Sequence, residues 1–367
     1  MQTKKILVFD STMRDGEQQP GLCFRDDEKI RLCYQLEKTG IFEIDLMPSI
    51  DEHERMLIRL LNDTRLKQKL GAATMVARKY VDQAVDVNAR VAYLFVHVSD
   101  ALMSARSKTR EQNLTDISDC VNYAASKGLI VDFCGGDGTR ADMGYLSEVL
   151  TEIGKKIRFY QPCDTSGKMT PATSRDHVSA LTKIIGEKVV VHYHNDNGQS
   201  VDSVIAAIEA GAAGFDGTFT GIGERAGNVA TEKVIYSLRD QHKILIDGIN
   251  YDELDNTTAL VRNMCRGVNP PTVNLNRRYP NVSGIHARAL MGRKDAFDYA
   301  YTPEVVEELL FFGKHSGANN YKLLFGNQFS DEQYQQMRDE VKRRARDELK
   351  DFTAKEVRAM FIKGGTE

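Results

Sequence analysis

The sequence has little net charge, few cysteines and no long apolar run, and each shortage removes a class of function. Lys and Arg number 49 against 52 Asp and Glu, a formal charge of −3. That gives no electrostatic case for nucleic acid or an anionic membrane as a partner. No stretch is apolar for long enough to span a bilayer. The six cysteines, Cys23, Cys33, Cys120, Cys134, Cys163 and Cys265, are scattered and form no CxxC pair. This argues against a zinc ribbon and a disulfide framework and fits reduced thiols in the cytoplasm. Met1-Gln2-Thr3-Lys4-Lys5 runs straight into a strand pattern without a secretory leader, so a cytoplasmic protein is expected.

What the chain does have is alternation. Its 367 residues are enough for a large core and more than one structural unit. From Ile6 onward, short apolar runs alternate with amphipathic stretches. The predicted strands are Ile6–Phe9, Phe42–Met47, Ala72–Val76, Tyr93–Val98, Leu129–Phe133, Ile157–Tyr160, Val189–His194 and Gly214–Phe219. Turn-periodic apolar faces predict helices at Asp26–Lys38, Asn113–Ala125 and Ser200–Ala210. Eight strand–helix repeats over roughly 240 residues have the count and length of a (β/α)8 TIM barrel. An open doubly wound sheet uses the same right-handed crossovers and is the alternative. The barrel is expected over residues 1–260. A linker and a helical C-terminal subdomain are expected over 261–367. There, Ser330-Asp331-Glu332-Gln333 and Thr353-Ala354-Lys355-Glu356 read as capping boxes. The charged helices they start have no evident barrel face to cover, which suggests a surface for a second subunit.

Three stretches carry chemistry. In Val191-His192-Tyr193-His194-Asn195-Asp196, at the end of the seventh strand, His192 and His194 share a face and make a pair of nitrogen ligands for a divalent metal. Two structurally satisfied histidines are the plain alternative. The first strand ends in Phe9-Asp10-Ser11-Thr12-Met13-Arg14-Asp15-Gly16-Glu17-Gln18, and in a barrel such residues line the active-site rim. Asp15 would then join the imidazoles in an open catalytic site, although an ion pair at a helix start is also possible for Arg14-Asp15. Gly221-Ile222-Gly223-Glu224-Arg225-Ala226-Gly227-Asn228 is weak as a phosphate loop. As a rim loop it presents Glu224 as a base, or as a group that positions one. In the same loop Asn228 offers a neutral oxygen to the metal.

These stretches resemble the isopropylmalate synthase and homocitrate synthase family, which condenses an acyl-CoA with a 2-oxo acid. Asp10–Gly21 matches its first motif, His192–Gly198 its H-x-H-N-D-x-G, and Gly221–Asn228 its G-x-G-E-R-x-G-N. Asp164-Thr165-Ser166-Gly167, Ser283-Gly284-Ile285-His286 and Gly313-Lys314-His315-Ser316-Gly317 match further segments. The resemblance implies a divalent metal (Zn, Mn, Mg or Co) held by Asp15, His192 and His194 with Asn228 close by, and acetyl-CoA as co-substrate. It also implies Thr165 on the 2-oxo acid carboxylate, with Gln18, Asp45 and Arg140 around the same substrate. Arg14 would face the keto oxygen. His286, paired with Glu224, would move protons, and Tyr299 would be the subdomain tyrosine. A soluble homodimer is implied, with small-molecule substrates and no nucleic acid or membrane partner. A lyase or carboxyl-transfer barrel on the same metal site is a second reading, but the lyase cysteine loop and the carboxylated-lysine context are not found. A non-catalytic paralogue is a third. With the chain ending near the helical tail, the leucine-sensing domain of long isopropylmalate synthases is not expected, a length that fits homocitrate synthases and biosynthetic relatives better.

The chain departs from the family pattern at three places. Gly136 stands where the family carries an acidic residue, Asp45 where it carries Glu-x-Gly-x-Pro, and Leu102 where isopropylmalate synthases commonly have His. All three are expected around the acceptor's side chain. A lost carboxylate would leave room beside Arg14. The expected acceptor is therefore not 2-oxoisovalerate but a larger or doubly anionic 2-oxo acid, gripped by Arg140 or Arg106. Drift at Gly136, with Asp45 or Asp137 taking over its role, is the alternative.

Overall fold

A computed structural model describes residues 1–274, 279–293 and 307–362. Eight parallel strands close into a barrel in sequence order: β1 Leu7–Asp10, β2 Glu43–Leu46, β3 Leu70–Met75, β4 Val91–His97, β5 Ile130–Gly136, β6 Tyr160–Asp164, β7 Val190–Tyr193 and β8 Gly214–Gly217. Strands covered on both faces read as apolar runs, and Val190, Val191 and Tyr193 are indeed fully buried. The barrel closes where Leu7 pairs with Gly214. A Cβ on Gly214 would lie 2.0 Å from the Leu7 carbonyl oxygen, so only glycine lets the first and last strands meet. The outer helices begin on side-chain caps. Thr109 and Gln112, for example, form a reciprocal capping box at the start of Arg110–Ser126.

Two differences from the sequence-based expectation concern the barrel. The sixth strand, expected at Ile157–Tyr160, lies at Tyr160–Asp164 and includes Pro162, which pairs in register with Gly135. Residues 157–159 approach the opposite mouth instead, where Arg158 donates to Asp132 (3.0 Å) and Glu43 (3.0 Å). A short strand outside the barrel, Ile244–Ile246, runs parallel to Gln2–Lys4. The helix Leu254–Met264 then packs on Asp26–Thr39, with the Thr39 and Thr257 hydroxyls 2.7 Å apart.

Helices Gly284–Gly292, Ala318–Phe325, Asp331–Glu348 and Ala354–Phe361, with the antiparallel pair Phe311–Phe312 and Phe352–Thr353, enclose a second core. Ser330 and Thr353 cap their helices as expected. The charged helix is not without a face, however. Tyr334, Met337, Val341 and Ala345 line the second core, and Lys342 Nζ donates to the Ile50 carbonyl oxygen of the barrel rim at 2.7 Å. Its low overall hydrophobicity hides a narrow apolar stripe. A buried junction ties the second lobe to the barrel. Lys314 contacts Glu17 (2.7 Å) and Glu54 (3.4 Å), and Lys29 contacts the same two carboxylates (3.1 and 2.6 Å). Among the described residues no helix is long and apolar enough to cross a membrane.

Candidate metal and substrate site

The strand ends bring the singled-out residues to one rim, as a parallel barrel requires. Asp15 follows β1, His192 lies on β7 and His194 just beyond it. Their ligand-type atoms lie within 4.8 Å of one another, and all three residues are buried. His192 Nδ1 is 2.8 Å from Asp216 Oδ2, which leaves Nε2 on the Asp15 side, 3.7 Å from Oδ2. His194 Nε2 lies 4.0 Å from the same oxygen. An antiparallel bridge joins His194 to Asn228, and Asn228 Nδ2 donates to Asp15 Oδ1 at 2.8 Å.

The donor set suits a divalent cation. Burial opposes charge on Asp15, but His194, Arg14 and His192 outweigh it and hold the carboxyl well below its usual range. Burial pushes the His194 imidazole well below its usual range, with Arg225 acting in the same direction and Asp15 against it. Asn228 Oδ1, whose amide nitrogen bonds Asp15, is buried with no hydrogen-bond partner, a costly state that a bound ion would relieve. Asp216 supplies the carboxylate–histidine support common behind metal-bound imidazoles, and Ser11 Oγ holds Asp216 in place at 2.7 and 2.8 Å.

Arg14 lies against this cluster. It donates to Asp15 Oδ2 (2.9 Å), Ser11 Oγ (3.2 Å) and, through Nε, to Asp45 Oδ2 (2.6 Å). Burial raises the Asp45 carboxyl to about 6 despite Arg14. Thr165, Gln18, Glu224 and His286 line the same cavity of about 100 Å3. Glu224 is held by Asn281 (3.4 Å) and by Ser283, just upstream of His286. Burial raises its carboxyl to about 6, Asp15 acting in the same direction. Burial, with Arg225 and His194, keeps the His286 imidazole neutral.

Arg140 is not brought into this cavity. It forks onto Asp137 with two 2.8 Å bonds. Tyr299 lies outside the described residues. The departures at Gly136, Asp45 and Leu102 do not sit together around one substrate group. Leu102 is buried in the second core with Leu290 and Phe312. Gly136 leaves no free space, because a Cβ there would lie 2.8 Å from Phe95 and from His97. A side chain at Gly136 would thus meet two rings, not open space. Asp45 places a carboxylate against Arg14.

Asp216, Ser11 and His97 were not anticipated from the sequence. For Asp216 a signal exists, since Gly214-Phe215-Asp216-Gly217 places a carboxylate in a fully buried strand, where it needs a partner. His97 is 4% exposed, its Nδ1 has no hydrogen-bond partner, and it lines the cavity.

A family model described as HMGL-like matches residues 5–261. A protein from Methanothermobacter thermautotrophicus that carries an (R)-citramalate synthase name is 32% identical, over 86% of this chain and 64% of its own length. A "Probable 2-isopropylmalate synthase" of Ignicoccus hospitalis is 34% identical over 86% of this chain and 80% of its own. "Homocitrate synthase 1" of a Nostoc species is 30% identical over 96% of both chains. Among solved structures, the HMG-CoA lyase of Brucella melitensis superposes with a TM-score of 0.63 at 18% identity, over 72% of this chain and 99% of that one. That likeness is one of fold alone.

Proposed function

The chain belongs to the HMGL-like family, among relatives named as homocitrate and isopropylmalate synthases, and on that premise we propose that it condenses acetyl-CoA with a 2-oxo acid and then hydrolyses the thioester. The products are a 2-substituted malate and CoA. One observation carries the reading. Asp15, His192 and His194 share one small cavity with Arg14, Glu224 and His286.

A divalent metal held by Asp15, His192 and His194, with Asn228 beside it, supplies Lewis acidity to the acceptor's keto group. Oxygen and imidazole donors suit Zn, Mn, Mg and Co alike. Thr165 orients the acceptor's carboxylate, and Gln18 and Asp45 bound the same space. Arg14, fixed by Asp45 and Ser11, stabilises negative charge as it grows on the keto oxygen. His286 is a neutral base for a proton of the acetyl methyl group, and Glu224 positions it. The methyl carbon bonds to the keto carbon, and water then cleaves the thioester to give a carboxylate and the CoA thiol. A homodimer is part of the same reading, on the family resemblance alone, and light scattering measures it directly.

The test uses metal-loaded protein with acetyl-CoA and a panel of 2-oxo acids, scored by free thiol. Thiol release should require the metal and one particular acid. Release from no combination, with cleavage of 3-hydroxy-3-methylglutaryl-CoA instead, would replace synthesis with lyase chemistry.

A further inference from the structure

The metal-side cavity opens into a cleft of about 260 Å3 between the barrel rim and the second lobe. Gln18, Met47, Phe95 and His97 line both spaces. The cleft is lined by five Lys or Arg side chains and, among the described residues, by no Asp or Glu. The chain as a whole carries −3, so composition does not account for that lining.

Two of the five cations are engaged. Lys314 sits in the junction with Glu17 and Glu54, and Arg338 contacts Asp339. Arg106, Arg288 and Lys342 make no ion pair among the described residues. Arg106 and Arg288 line the same cleft, and Arg106 loses proton affinity to burial and then to repulsion from Arg288. Lys342 is only 6% exposed. Among the described residues its one hydrogen bond is to the Ile50 carbonyl oxygen, and burial lowers its ammonium to about 7 although Asp51 opposes the shift. Arg106 and Lys342 are thus partly or wholly buried without an ion-pair partner, and exposed Arg288 shares their cleft; buried cations without a close partner are costly, which fits a site whose anion arrives with a ligand. At Ser49, Ile50 and Tyr80 the cleft borders an open groove of about 1050 Å3, which Lys342 also lines.

We propose that Arg106, Arg288 and Lys342 bind the pyrophosphate of the acyl-CoA, with the pantetheine arm running inward past Phe95 and His97 to the metal-side cavity and the nucleoside lying in the outer groove. The assignment of CoA as the carrier of the pyrophosphate rests on the condensing reading. Two negative charges arriving together offset the Arg106–Arg288 repulsion, and guanidiniums take phosphate oxygens in pairs.

Calorimetry on the full, metal-loaded chain tests this without turnover. The probes are CoA, pantetheine and inorganic pyrophosphate, against the parent, Arg106→Gln, Arg288→Gln and Lys342→Met. Each substitution should weaken CoA about tenfold, the scale of one charge-assisted hydrogen bond, and leave pantetheine within about twofold. CoA should displace pyrophosphate. Arg106 is half-buried and Arg288 exposed, so their variants test the idea even if Lys342→Met fails to fold. Equal loss of CoA and pantetheine, no loss of either, or pyrophosphate that CoA does not displace would each overturn the proposal. If the variants weaken CoA as expected while the parent turns over no 2-oxo acid, the clamp stands and the condensing reading falls.

Discussion

Asp216 Oδ2 accepts from His192 Nδ1 at 2.8 Å and so fixes which imidazole nitrogen faces Asp15. The metal-side geometry therefore depends on a residue that does not itself join the ligand cluster. Asp216→Asn should lower metal affinity by about 10–100-fold, the usual cost of losing such support. Metal content after dialysis against a graded chelator measures it. His194→Ala should abolish binding outright, with far-UV circular dichroism unchanged. Unaltered retention in both variants would move the metal elsewhere.

Gly136 faces Phe95 and His97 across a gap too small for a methyl group. Gly136→Ala should therefore destabilise the fold by about 1–3 kcal/mol through overpacking. Adding His97→Ala should recover part of that loss, since neighbours in contact are not additive. Urea denaturation of the two single variants and the double variant reads both effects. Strict additivity would show that the rings do not define this wall.

The junction of Glu17, Glu54, Lys29 and Lys314 is fully buried. Lys314→Met leaves two carboxylates to share one ammonium and should cost about 3–5 kcal/mol, read by chemical denaturation. The pH dependence has a definite sign. Burial alone would raise both glutamates, but the two lysines outweigh it and hold them below their ordinary 4.5. Their contribution is complete above pH 4.5 and is lost as pH falls through the lower folded values. Acid titration of the parent should show a stability loss on that side that Lys314→Met blunts.

His286→Ala should keep 2-oxo acid binding and lower the condensation rate by about 10²–10⁴-fold, the range for a removed acid–base group. Single-turnover thiol release and equilibrium binding of the 2-oxo acid separate the two. A variant that condenses at the parent rate would place the proton transfer on another group.

Much of the barrel is readable from composition along the chain. Val189-Val190-Val191 and Ile6-Leu7-Val8-Phe9 mark buried strands wherever they occur, and Asp15, His192 and His194 follow from their positions at strand ends. Strand six escapes that logic, because Ile157–Phe159 looks like a strand while the real one carries Pro162. The second lobe's docking is also hidden. A helix dense in Arg and Glu gives no local sign that Tyr334, Met337, Val341 and Ala345 form a buried stripe. Gly136 shows a further limit. A missing side chain in the sequence suggests empty space, yet Phe95 and His97 approach from a neighbouring strand. Register across the sheet decides that, and no single segment encodes it.

The short turn Gly16–Gln18 gives the molecule a mechanical property. Asp15 precedes it and belongs to the metal-side cluster, Glu17 within it anchors Lys314 of the second lobe, and Gln18 lines both inner spaces. The root of the lobe and the Asp15–His192–His194 cluster thus share one short turn. A shift of Lys314 would therefore pull on a turn only two residues from Asp15, so strain at the root of the lobe would be felt in the cluster.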